Sequence, residues 1–201
     1  MPERDPAEEL LRRRAKIVLR KRFRALRATF PASAIAERSA RVVAAIEGLA
    51  VVLAARTVAS FWPIDGRNEV DLRALDASLR ARGALVAYPA VDRETGVMTF
   101  RLATPDALDD RGSGFREPAP DAPDSVPDVI VAPALALDPR GFRLGYGAGF
   151  YDRALARYAP PARVLGVAFD FQLVPDLPET EGDVPVDVIV TDARVLTADR
   201  G

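Results

Sequence analysis

From Thr57 onward the chain repeats one pattern: a short apolar run closed by Gly, Pro or Asp, often followed by a segment with helical spacing. The runs fall at 57–62, 84–88, 97–102, 129–132, 164–168 and 186–190, each too short for a stable helix and bounded by turn residues, which reads as a strand. Helical segments lie between several of them, at 71–82, stopping at Gly83, and at 149–158, stopping before Pro160 and Pro161. Strands joined through helices pair in parallel, and strands apolar throughout need cover on both faces. The pattern therefore predicts an α/β fold: a mostly parallel sheet covered by helices on both faces, a Rossmann-like three-layer arrangement forming a single domain over residues 1–201. A length of 201 residues with 49% apolar side chains is enough for one sizeable core. The segment 108–127, dense in Asp, Pro and Gly, reads as a mobile surface segment rather than a linker, because the apolar runs beside it are too short to form separate cores.

Ahead of this pattern lie two helices. Asp5-Pro6-Ala7-Glu8 reads as a helix start, with an N-cap carboxylate, Pro at the first position and Glu placed as in a capping box. The helix is expected to run to about Ala28 and to pack through Leu11, Ala15, Val18, Leu19, Phe23, Leu26 and, just beyond it, Phe30. Between Leu10 and Ala28 nine residues are basic and none is acidic. A second helix is expected from Ser33 as N-cap to about Leu49, burying Ile35, Val42, Val43 and Ile46.

Composition narrows the chemistry. With no cysteine and no histidine, disulfides, thiol nucleophiles, imidazole bases and Cys/His metal sites are excluded. What remains is carboxylates, Lys, Arg, Tyr, hydroxyls, backbone N–H groups or a hard oxygen-bound cation. A net charge of −1 gives no whole-protein field for nucleic acid or an anionic membrane, so such contacts would have to be local. No apolar stretch is long enough to span a bilayer and residues 1–14 lack an apolar signal core. A cytoplasmic monomer is expected, with no nucleic-acid or membrane partner.

The stretch richest in chemistry is GFRLGYGAGFYD, Gly141 to Asp152. Gly145, Gly147 and Gly149 allow a ligand close to the backbone, and the helix that follows points free N–H groups and its positive dipole end at the same space. Arg143 offers a planar fork to phosphate oxygens, and Asp152 could hold Mg²⁺ directly or through water. The loop is not a Walker A sequence, since no Lys-Ser/Thr follows its last glycine, and its spacing is not that of a dinucleotide fingerprint. Taken alone it could also be a turn that only joins strand to helix.

GFRLGYGAGFYDR resembles the signature loop of the 5-formyltetrahydrofolate cyclo-ligase (5,10-methenyltetrahydrofolate synthetase) family, and the resemblance extends over nearly the whole chain. AKIVLRKRFRALR is similar to the family's opening Lys-x-x-x-Arg segment, SFWPIDGRNEVDL to its folate loop, and VAFDFQLVPDLPETEGDVPVDVIVTD to its C-terminal segment. The resemblance implies ATP as nucleotide, held by Lys16, Arg20, Arg143 and the run Leu144-Gly145-Tyr146-Gly147-Ala148-Gly149-Phe150-Tyr151, with Lys16 and Arg143 as catalytic groups. It implies folate contacts at Trp62, Ile64, Glu69, Tyr146 and Phe150, and Mg²⁺ on Asp152 and Asp183. Departures from the family pattern are Gly182, where many relatives have His, and Leu72, where many have Thr. The implied reaction is ATP-dependent closure of 5-formyltetrahydrofolate to 5,10-methenyltetrahydrofolate, with release of ADP and phosphate. Two other readings of the residues stay open: a basic helix that contacts nucleic acid or an anionic surface, and a glycine loop that cradles phosphate in a sugar-phosphate isomerase or acyl transferase.

Overall fold

A computed structural model describes residues 5–199, so the extreme ends of the expected domain lie outside the described residues. The helices are α1 (Pro6–Ala28), α2 (Ala32–Glu47), α3 (Ala50–Ala54), α4 (Arg73–Ala81) and α5 (Phe150–Tyr158). The strands are β1 (Thr57–Ala59), β2 (Leu85–Val91), β3 (Met98–Leu102), β4 (Asp109–Asp110), β5 (Arg116–Glu117) and β6 (Asp124–Ser125), followed by β7 (Val129–Pro133), β8 (Ala136–Leu137), β9 (Arg143–Leu144), β10 (Arg163–Val167), β11 (Val188–Val190) and β12 (Val195–Thr197).

Eight of these strands form one sheet in the order β12-β11-β10-β7-β1-β2-β3-β6. Its centre, β11-β10-β7-β1-β2, is parallel, while β12, β3 and β6 add antiparallel edges. Side chains alternate across this centre as strand geometry requires. Val58, Val129, Val131, Leu165 and Val167 pack with Ile35, Val42 and Ile46 of α2 and with Leu75 and Leu79 of α4. Ala59, Ile130, Ala132 and Val164 turn the other way, onto Ala154, Leu155 and Tyr158 of α5. The continuous apolar runs are thus explained by helices on both sides, as expected.

Several local expectations need correction. Ser33 does not cap α2; Pro31 precedes the helix in an extended conformation, without a side-chain cap, and the helix begins at Ala32. A further helix, α3, occupies 50–54 where none was expected. At the start of α1 the Asp5 carboxylate does accept the Ala7 N–H at 2.9 Å, but Glu8 bonds Arg12 one turn later rather than closing a capping box. The segment 108–127 carries β4, β5 and β6 and buries Leu108 and Glu117, so it is built into the sheet edge instead of lying over the surface.

The largest correction concerns α1. Leu11 and Val18 are 63% and 68% exposed, and the buried side chains are Lys16, Phe23 and Arg27. Phe23 packs with Leu135, Leu144 and Leu177, leaving Lys16 and Arg27 on either side of it along the same helix face. The helix is therefore oriented by its basic side chains as much as by its apolar ones. Among the described residues no helix is long and apolar enough to cross a membrane.

Candidate active site

The chain passes from β1 to β2 on one side of the sheet and later to β7 on the other, so the strand order reverses at β1 and β7. A crevice outside the carboxyl ends of the strands at such a reversal is where open α/β sheets take ligands. A cavity of about 630 Å³ lies there, touching Phe61 and Trp62 after β1 and Pro133 at the end of β7. Six cationic side chains (Arg13, Lys16, Arg20, Arg67, Arg143 and Arg153) and four carboxylates (Glu69, Asp152, Glu181 and Asp183) line it. This local excess of positive charge stands against a chain whose net charge is −1.

One end of the cavity is the glycine loop. Arg143 sits in β9, paired with Leu137 of β8, and from there the chain turns across the cavity to the start of α5. Gly147 adopts φ +113°, a conformation that side chains with a Cβ rarely take, and a Cβ there would stand 3.4 Å from the Arg20 guanidinium. Gly149 caps α5 without any side-chain hydrogen bond, so the N–H groups of the first turn open toward the loop. Arg20 Nε donates to the Gly145 carbonyl at 2.9 Å, fixing α1 to the loop.

Two ion pairs cross this end. Buried Arg143 donates to Asp152 Oδ1 at 2.7 Å and lies over the Tyr151 ring, while its Nε has no partner among the described residues. Lys16 donates to Thr180 Oγ1 at 2.7 Å and forms a short ion pair with Asp183, which also accepts the Thr180 N–H at 2.7 Å. Asp152 Oδ1 takes a further N–H from Val184 at 3.3 Å, so the segments bearing Asp152 and Asp183 adjoin. Among the described residues no cluster of three or more acidic side chains forms a ready metal cage. The Tyr151 hydroxyl is buried without a partner among the described residues, and burial, opposed by the Arg143 charge, pushes its phenol above the usual tyrosine range.

The other end is aromatic. Trp62 is half-buried, with Tyr88 edge-on at 6.3 Å and the guanidinium groups of Arg73 and Arg116 5.3 and 5.6 Å from its ring. Glu69, 6% exposed, accepts the Ile64 N–H at 2.7 Å through Oε2 and the Tyr146 hydroxyl at 2.5 Å through Oε1. Arg27 Nη2 donates to the same hydroxyl at 2.5 Å and stands 3.8 Å from Glu69. Burial, together with the Glu69 charge and against that of Arg27, pushes the Tyr146 phenol up.

The structure thus places Lys16, Arg20, Trp62, Ile64, Glu69, Arg143, Asp152 and Asp183 around one cavity with Gly145 to Tyr151. Leu144 is the exception, since its side chain is 1% exposed and packs in the core with Phe23 and Leu135. Arg27 escaped the sequence reading, which gave it no role beyond its place in the basic run. Its signal was present: residues 16, 20, 23 and 27 fall at helical spacing on one face, visible once charged residues are counted with apolar ones.

Residues 12–192 match the model of the 5-formyltetrahydrofolate cyclo-ligase family. The 5-formyltetrahydrofolate cyclo-ligase of Escherichia coli K12 is 36% identical over 151 residues, covering 72% of this chain and 82% of the relative. That of Mycolicibacterium smegmatis is 34% identical over 156 residues, covering 74% and 79%. The solved 5,10-methenyltetrahydrofolate synthetase of Aquifex aeolicus superposes with a TM-score of 0.79 at 30% identity, covering 92% of this chain and 94% of that one. With a family match over most of its length, relatives above 30% identity and the expected mostly parallel sheet, the chain belongs to the 5-formyltetrahydrofolate cyclo-ligase family.

Proposed function

We propose that this protein uses ATP to close 5-formyltetrahydrofolate to 5,10-methenyltetrahydrofolate, releasing ADP and phosphate. The observation that carries the reading is one cavity with two unlike ends: a cationic glycine loop at a helix N-terminus, and an aromatic wall beside a buried carboxylate. The first suits a triphosphate, the second a flat heterocycle with N–H donors.

The chemical obstacle is that a formamide oxygen leaves poorly. The formyl oxygen attacks the γ-phosphorus and ADP departs; N10 of the same folate then attacks the activated carbon, and the oxygen leaves on phosphate as the N10 proton is lost. Because N10 is tethered to its electrophile, the second step gains an effective molarity of about 10⁵ M or more from proximity alone. No strong general base is needed at that step, which suits a chain without histidine.

Lys16, Arg20, Arg143 and the backbone N–H groups of the loop would grip the triphosphate, with Lys16 and Arg143 stabilising charge as the phosphoryl group transfers. Tyr146, Phe150, Trp62 and Ile64 would flank the pterin, and Glu69 would accept its N–H groups. Asp152 fits Mg²⁺ that arrives with the nucleotide, because one or two carboxylates plus phosphate oxygens and water complete its shell and Asp152 Oδ2 accepts no hydrogen bond among the described residues; Asp183 would join it once Lys16 turns from Asp183 to the triphosphate. When bound, the ion would neutralise part of the triphosphate charge. Residues 1–201 would act as one catalytic domain. Purified protein with Mg²⁺, ATP and 5-formyltetrahydrofolate should develop the absorbance of the methenyl product, and omission of either substrate should abolish it; product without ATP, or none with all components, would overturn the reading.

A further inference from the structure

Glu117 belongs to none of the machinery above, yet it is 2% exposed. A carboxylate at that depth needs partners to offset its lost hydration. Its Oε2 accepts the Val91 N–H at the end of β2 at 2.8 Å. Its Oε1 accepts Arg93 Nη2 at 3.1 Å and the Ser113 hydroxyl at 2.9 Å. One side chain therefore ties together the end of β2, the turn after it and the loop 111–115 between β4 and β5.

That loop reaches the cavity: Ser113, Gly114 and Phe115 are part of its wall. Gly112 beside the clamp adopts φ +92°, a conformation that side chains with a Cβ rarely take, with Arg93 Nη1 2.6 Å from where a Cβ would stand. Arg116, between Phe115 and Glu117, donates to the Leu108 carbonyl at 2.6 Å while its guanidinium stands 5.6 Å from the centre of the Trp62 ring. The Ser113–Glu117 bond and the Arg116–Trp62 contact thus tie this wall to Trp62 at the aromatic end.

We propose that Glu117 is a positioning residue for the folate end of the cavity: it touches no substrate, and by clamping the loop 111–115 it sets the affinity for folate independently of ATP. The inference rests on the folate reading above, and its test separates the two. Trp62 is the chain's one tryptophan, so its fluorescence reports on this wall directly. The protein is titrated with 5-formyltetrahydrofolate in the absence of ATP while Trp62 emission is followed, for wild type, Glu117→Ala, Glu117→Gln and Ser113→Ala, with both KM values and the melting temperature measured alongside.

Glu117→Ala should weaken folate binding by about tenfold, the scale of buried hydrogen-bonding groups left without their partner, and raise the folate KM while the ATP KM and kcat stay within about twofold. Glu117→Gln, which keeps an acceptor oxygen, should recover most of the loss. Ser113→Ala removes one 2.9 Å bond and should weaken folate binding by about threefold to tenfold, which keeps the test decisive if Glu117→Ala fails to fold. A lowered melting temperature with folate affinity unchanged, or equal rises in both KM values, would overturn the proposal. A wild-type protein that shows no response to folate would refute the folate reading, and the proposal with it.

Discussion

Arg27→Met is the substitution whose consequence follows most directly from distances in the structure. Arg27 and Glu69 are 5% and 4% exposed at their side chains, with charged atoms 3.8 Å apart and the Tyr146 hydroxyl bonded to both. At an effective dielectric of about 20, that separation corresponds to an attraction of about 4 kcal/mol, and removing one partner from a buried pair costs about 3–5 kcal/mol because the other charge is stranded. Methionine fills much of the arginine stem, so the cavity contribution is small; a loss of about 3 kcal/mol is expected, near the lower limit because Tyr146 and the Ile64 N–H still serve Glu69. For a chain of this size that loss lowers the melting temperature by about 6–12 °C. The assay is a double-mutant cycle by urea unfolding with Arg27→Met, Glu69→Gln and the pair. The buried pair predicts that the double variant is more stable than the sum of the singles by at least about 1 kcal/mol, whereas additivity within about 0.5 kcal/mol would refute it.

Lys16→Ala and Arg143→Ala should each lower turnover at least about tenfold, or about 1.4 kcal/mol of transition-state stabilisation, in steady-state assays of the methenyl product; unchanged constants would remove the nucleotide assignment. Gly147→Ala forces a Cβ into φ +113° against Arg20 and should weaken nucleotide binding in calorimetric titration while leaving the folate response of Trp62 in place. Burial is the leading cause that pushes the phenols of Tyr88, Tyr146 and Tyr151 up from the ordinary value of 10. The folded state therefore holds these protons more tightly than the unfolded chain, so their stabilising contribution is complete below about pH 10 and is lost as pH rises beyond it. Urea midpoints should fall between pH 9 and 11, less so in Tyr88→Phe; a flat profile would contradict this.

The parallel core was legible because strands covered on both faces have to be apolar throughout, as Val129 to Ala132 are, and nothing else in the chain competes with that pattern. The glycine loop was legible for a similar reason: Gly147 and Gly149 both adopt positive φ, and few uses other than close backbone approach favour three alternate glycines before a helix. What could not be read from the sequence depends on which face of an element meets which neighbour. Val18 looks like core by spacing and is 68% exposed, while Lys16, two residues earlier and on the opposite side of the helix, is 7% exposed, because α1 turns its Lys16 face to the cavity, where the cation is paired with Asp183. Glu117 was hidden for the same reason. Its polar, turn-rich segment suggests a surface loop, and only the pairing of β4 with β5 carries its carboxylate under Val91 and Arg93.

Whether the glycine loop holds the nucleotide is decided by the structure of the protein with a non-hydrolysable ATP analogue and Mg²⁺. The triphosphate should lie across Gly145 to Gly149, within hydrogen-bond reach of Arg143 and Lys16, with the metal on Asp152 and the γ-phosphate directed toward the Trp62 and Glu69 end. Nucleotide bound elsewhere on the sheet, or a loop left empty at saturating analogue, would contradict it.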